Sequence, residues 1–181
     1  ALYLGDRDQV RTGDLKAVVS RSRQARAFAL GDALGDRDLP GLFQALGEEL
    51  WEMQVDRKKS EIGLLYGLIS KVRAMLLAKE LLREGWLKPE RDLGRFKAQL
   101  ARLADKPLPE DKKYNPRTMT PYVLFRAAQQ SRHYTTEELV AAMERLLDCN
   151  RQLVGSNLDE AMVLQRALAS IAMGNETGRT P

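Results

Sequence analysis

The stretch EIGLLYGLISKVRAMLLAKELLRE, from Glu61 to Glu84, decides the fold. Wound as a helix at about 100° per residue, it places Ile62, Leu65, Leu68, Ile69, Val72, Met75 and Leu76 on one broad apolar stripe. Leu64 and Leu82 widen that stripe. Ser70, Ala74 and Ala78, flanked by Leu77 and Leu81, line a second face with small side chains. A surface helix has one apolar stripe, whereas a helix apolar on most sides is covered on most sides. The expectation is a hub helix inside a bundle, closed at its C-terminus by Gly85. Lys71, Arg73 and Lys79 interrupt the apolar run, so it is too polar to span a membrane. Burial alone produces such a stripe, and nothing in it has the form of a cofactor box.

The segments on either side read as the helices that cover the hub. Upstream, Thr12 can cap a short helix with Leu15, Val18 and Val19 facing inward, and a second helix from near Ser22 carries Phe28, Leu30 and Leu34. Gly31 inside it points to a close helix crossing, and Gly35 and Asp36 read as its end. Asp38 caps the next helix, with Pro40 in the first turn and Leu42, Leu46, Leu50 and Met53 inward. Downstream, Trp86 and Leu87 are expected to tuck back onto the core, and Pro89 to open a helix bearing Leu93, Phe96, Leu100 and Leu103. Four prolines break the run from Asp105 to Pro121, a long connection of the kind that is often functional or disordered. Pro121 starts a helix with Tyr122, Leu124, Phe125 and Ala128. Thr135 and Glu138 form a capping box for a helix carrying Leu139, Met143, Leu146, Leu147 and Val154, with Gly155 as its C-cap. A last helix holds Leu158, Met162, Leu164, Leu168 and Ile171. No segment shows a trustworthy period-2 alternation, so the fold class is all-α, a helical bundle with antiparallel neighbours where loops are short.

Composition narrows the chemistry. A chain of 181 residues holds one good-sized domain, and its net charge of +4 permits an acidic partner without demanding one. The single Cys149 excludes an internal disulfide and a cysteine-cluster zinc site, and reads as a small buried hydrophobe. A reducing, cytoplasmic location is the simplest reading. The lone His133 excludes the usual histidine-rich metal sites and triads. There is no phosphate loop, nucleophile elbow, H-E-x-x-H or calcium loop. Adjacent acids such as Glu48–Glu49 and Glu137–Glu138 point in different directions on a helix and read as solvated or capping residues. No catalytic residue, metal or cofactor is expected, and no membrane association. The chain starts at Ala1 in what reads as mid-domain sequence, which suggests a C-terminal fragment of a longer protein.

Positive charge is unevenly placed. The segment 83–117 carries ten Lys or Arg against six acids, a difference equal to the net charge of the whole chain. Lys112, Lys113 and Arg117, with Tyr114 among them, are the candidate nucleic-acid or partner-binding residues. Interleaved acids weaken the patch, and a solvated basic face is the competing reading.

Three stretches together resemble the C-terminal part of the delta subunit of bacterial DNA polymerase III, a clamp-loader subunit. They are LGDRDQVRTGDLKAVVSRSRQARAFALGDALGDRDLPGLFQALGEEL, KVRAMLLAKELLREG and LLDCNRQLVGSNLDEAMVLQRALASIA. Phe28, Leu30, Asp32, Ala33 and Leu34 match one family segment, and Arg73, Leu76 and Lys79 another. Asn150, Val154 and Gln165 depart from the family pattern near the C-terminus. The resemblance implies that residues 1–20 end a small helical AAA+ lid domain, 21–174 form a helical collar domain and 175–181 a disordered tail. It implies an assembly role without ATP hydrolysis during loading of the sliding clamp in DNA replication. The implied partners are the other clamp-loader subunits (delta prime, gamma/tau), the sliding clamp through an N-terminal region absent from this chain, and primed DNA in the assembled complex. A helical nucleic-acid-binding module using residues 83–117 is the alternative.

Overall fold

The computed structural model describes residues 28–56, 60–106, 108, 110–111 and 115–174. Among them are seven α-helices and no strand: α1 over 28–36, α2 (Leu39–Val55), α3 (Glu61–Arg83), α4 (Leu93–Ala101), α5 (Pro121–Gln130), α6 (Thr136–Gly155) and α7 (Glu160–Met173). Short 3-10 turns follow α4 (Arg102–Asp105) and α5 (Ser131–His133). The fold is all-α, as the periodicity requires. The expected helix capped by Thr12, the lid tail over 1–20 and the tail over 175–181 lie outside the described residues.

The hub is α3, which packs against α5, α6, α7 and the second 3-10 turn. Leu65, Leu68, Ile69, Val72 and Met75 are buried from one side, and Ala74, Ala78 and Leu81 from the other. The small second face lets neighbouring helices come close on that side too. Ser60 caps the N-terminus, its Oγ accepting from Gly63 N at 3.1 Å. At the other end Gly85 takes φ +68°, and the amides of Trp86 and Leu87 both donate to Leu81 O. Leu87 is thereby buried and Trp86 half-buried. Phe96 of α4 meets Phe125 of α5 edge-on, ring centroids 5.3 Å apart, and closes that side of the core.

Caps follow the sequence closely. Asp38 Oδ1 accepts from Gly41 N at 3.1 Å, and the Thr135–Glu138 box is reciprocal, at 2.7 and 3.1 Å. Gly31 crosses α3 as expected, with room for a Cβ at ordinary contact with the Lys71 stem. Gly35 is the more demanding position, since a Cβ there would fall 2.6 Å from Cδ of the buried Gln130.

Several expectations are corrected. Pro89 does not open a helix: the Glu90 carboxylate accepts from the Arg91 and Asp92 amides, and Asp92 then caps α4 at Leu93. Gly155 is the last helical residue of α6, and the extended Ser156 is the C-cap. Leu158 precedes α7, whose N-cap is Asp159. Phe28, Ile62, Tyr122, Leu147, Val154, Leu158 and Met162, all expected inside, are exposed. Glu49, expected in solvent, is buried on α2.

Candidate interaction surfaces

One end of the bundle is closed by a polar latch. Arg37, in the turn between α1 and α2, adopts φ +56°, a left-handed conformation that costs a non-glycine residue roughly 1–2 kcal/mol. Its guanidinium is held on four sides. Nε donates to His133 O at 2.7 Å, Nη1 to Ala172 O at 3.2 Å, and Nη2 pairs with Glu138 Oε1 at 2.6 Å. The group also lies 4.0 Å from the Tyr134 ring centroid. Tyr134 in turn donates its hydroxyl to Leu34 O, and the His133 ring nitrogen Nδ1 meets Gly35 O at 3.1 Å. Burial pushes the Tyr134 phenol up to about 12, against the pull of the Arg37 charge. Burial raises the Glu138 carboxyl too, but the Thr135 amide and Arg37 outweigh it and hold it below the usual range.

A second layer fastens α1 to α3 and α5. Lys71 Nζ meets Asp32 Oδ1 at 2.8 Å, and Arg126 Nη2 reaches Asp32 Oδ2 at 3.4 Å and Asp36 Oδ2 at 3.1 Å. The Gln130 amide nitrogen donates to Asp32 O and Oδ1, both at 3.2 Å. Burial pushes the Asp32 carboxyl up, and the Lys71, Arg126 and Gln130 contacts together bring it below the usual carboxylate range. These groups neutralise one another, so the layer is structural rather than a waiting site. His133 and Cys149 offer no chemistry either. The His133 ring is committed to Gly35 O, and burial pushes the Cys149 thiol up, away from the reactive thiolate. Among the described residues no group of three or more His, Cys, Asp or Glu is placed to hold a metal ion. None of their helices is long and apolar enough to cross a membrane.

The opposite end is apolar. Lys79 donates to Ser131 O and Tyr134 O beside the start of α6, so α3 and α6 run antiparallel. Arg37, just before α2, reaches Ala172 near the end of α7, so α2 and α7 also run antiparallel. With a rise of about 1.5 Å per residue, the end of α2, the start of α3, the end of α6 and the start of α7 therefore share one end of the bundle. There Trp51, Val55, Tyr66, Val154, Leu158 and Met162 are each 59–70% exposed. Beside Trp51, a shallow depression on α2 is lined by Gln44, Gly47, Glu48 and Glu52. Isolated exposed apolar side chains are ordinary, but several large ones at one end mark an interaction surface.

The residues singled out from charge fare differently. Lys112 and Lys113 lie outside the described residues. Arg117 is exposed but folded back over the first 3-10 turn by an Asx turn in which Asn115 Oδ1 accepts from Arg117 N at 3.0 Å. Its Nη2 then donates to Leu103 O at 2.6 Å and Lys106 O at 3.4 Å, satisfying carbonyls at the end of the first 3-10 turn. Arg117 is thus a clamp on the α4–α5 connection. Arg117→Ala should lower stability by about 1 kcal/mol, measurable by thermal melting, and an unchanged melting temperature would rule the clamp out. The apolar end was missed because Val154, Leu158 and Met162 were read as core and Trp51, Val55 and Tyr66 were not singled out. The one available signal was that all of them sit in, or directly beside, the first or last two turns of a helix.

The sequence matches no family model. It also matches no curated protein. In structure the chain is similar to the DNA clamp loader delta protein YqeN of Bacillus subtilis, at TM-score 0.60 and 18% identity. The likeness covers 96% of this chain and 43% of that protein, so the chain spans less than half of its length. At this identity the likeness speaks for the architecture: the bundle has an all-α, clamp-loader-like fold.

Proposed function

We propose that this chain is a non-catalytic assembly module of a clamp loader, the collar part of a delta-type subunit, and that its apolar end meets a neighbouring subunit. The observation that carries the proposal is the asymmetry of the bundle, closed by partly buried polar contacts at one end and gathering six large, strongly exposed apolar side chains at the other. Interfaces that hold subunits together concentrate aromatic and methionine side chains in their centre, and Trp51, Tyr66 and Met162 are of that kind. The likeness to a clamp loader delta protein supports the choice of complex. Under this reading the partners are the delta prime and gamma/tau subunits. The sliding clamp and primed DNA are engaged by the assembled complex.

The test is Trp51→Glu combined with Met162→Glu. Both side chains are nearly two-thirds exposed, so the variant should fold with a change of no more than about 0.5 kcal/mol per site. Co-elution with the partner subunits should be lost. A folded variant that still co-elutes in full would refute the assignment of this end.

A further inference from the structure

Arg117 spends its guanidinium on the carbonyls of Leu103 and Lys106, and four further cations of the 83–117 segment, Arg91, Arg95, Lys97 and Arg102, lie on α4 or its flanks. Four acids of this region are engaged in ion pairs or hydrogen bonds. Glu80 and Glu84 pair with Arg83, Glu90 accepts the amides of Arg91 and Asp92, and Asp92 caps α4 through Arg95 N. Arg91, Arg95, Lys97 and Arg102 are all exposed, and none of these side chains has a hydrogen-bond or ion-pair partner among the described residues. This contrasts with Arg37, Lys71, Arg83, Arg126 and Arg151, each of which is paired.

The inner side of α4 is set by Phe96, with Leu93, Leu100 and Leu103 half-buried or buried beside it. Arg95 and Arg102 lie seven residues apart, hence two turns along the same side, about 10 Å apart along the axis. Arg91 stands one residue before the N-cap, at the start of the helix. The other outward positions, Gly94, Ala98 and Ala101, are small and exposed. None of the large exposed apolar side chains of the described residues belongs to α4 or its flanks.

We propose that this arginine row, Arg91, Arg95 and Arg102, is a binding site for the phosphate backbone of a nucleic-acid duplex. Exposed guanidiniums along one helix supply what phosphates need, forked donors and fixed charge, with the Glu90 carboxylate acting on Arg95 as a nearby counter-charge. A protein partner would want an apolar anchor at the centre of the contact, and the face has none. A single strand would want aromatic platforms for its bases, and the row has none of those either. Contact of this kind is blind to sequence and weakens as salt rises, because releasing counterions into a saltier solution gains less. The proposal does not rest on the assembly reading, since co-elution tests that one and salt-dependent duplex binding tests this one.

The experiment compares the whole chain with Arg91→Gln, Arg95→Gln, Arg102→Gln, on a mixed-sequence duplex at salt concentrations between about 50 and 200 mM. Because the side chains are exposed and have no hydrogen-bond partner among the described residues, the variant should melt as the parent does. Its affinity should fall at least tenfold at the lowest salt, and the slope of log K against log salt should flatten by roughly 2–3, close to 0.9 for each lost phosphate contact. A control pair, Arg132→Gln with Arg166→Gln, removes exposed and unpartnered charge elsewhere and should change little. Unchanged affinity and slope in the triple variant would overturn the proposal. So would an equal loss in the control, which would reduce the effect to net charge. Displacement of the duplex by polyglutamate at equal charge concentration would also overturn it, in favour of an acidic protein partner.

Discussion

Val72→Asp should leave no cooperatively folded protein. Val72 sits in the middle of α3, 1% exposed, on the stripe that meets the neighbouring helices. A carboxylate there has no water, and no cation is among the partners of the stripe. It must either stay charged in an apolar surround or take up a proton, and both routes cost several kcal/mol. Domains are stable by about 5–15 kcal/mol in total, so the loss consumes much of what exists. Leu68→Asp, one turn earlier and 2% exposed, should behave in the same way. Val72→Ala, which only empties space, should still fold with a lowered melting temperature. Circular dichroism through a thermal ramp decides it: a Val72→Asp melt close to that of the parent would show that α3 is not the hub.

Arg37→Ala should lower stability by roughly 2–3 kcal/mol, a fall in melting temperature of about 5–10 °C. The change removes donors to two carbonyls and the partner of Glu138, and uncovers one face of Tyr134. It leaves a Cβ at φ +56°, so the backbone strain persists. Arg37→Gly removes the same contacts but relieves the strain, and should therefore recover about 1 kcal/mol relative to Arg37→Ala. The pair separates the contacts from the conformation that carries them. If both variants melt with the parent, the latch contributes nothing. If the two melt together well below it, the left-handed turn is not strained.

The helices and most of the core were legible in the sequence because burial and periodicity are the same fact seen twice. Leu65, Leu68, Ile69, Val72 and Met75 recur at helical spacing because a neighbour lies along that whole side of α3. The caps at Asp38 and at Thr135–Glu138 were legible because their chemistry is local, three residues wide. Ile62, Val154 and Met162 were misread for a related reason. Periodicity reports which side of a helix faces inward, but not how far along the axis the covering helix extends, and these residues lie where it stops. The latch was hidden altogether. Arg37 meets His133 and Ala172 across separations of 96 and 135 residues, and a single polar contact between distant turns has no period. Arg117 was read as a candidate binding residue because a loop arginine is usually free, and only the Asn-Pro turn before it hinted that the chain doubles back onto the 3-10 turn. Glu49 was misread because its helix was taken to have a single inner stripe, whereas α2 buries Ala45 and Glu49 beside Leu42 and Leu46.

The position of Arg37 also bears on how the bundle comes apart. Terminal turns of helices usually fray at little cost and independently of the rest of the fold. Here the Ala172 carbonyl, near the end of α7, is gripped by a side chain from the corner between α1 and α2, and Gly174 ends that helix at φ +73° directly against the same guanidinium. Unwinding from the C-terminal end of α7 therefore strips the arginine of one of its anchors, and the strained corner loses part of what holds it. Early and late segments of the chain are made into one cooperative unit, so amide protection at the end of α7 and at the α1–α2 corner should rise and fall together.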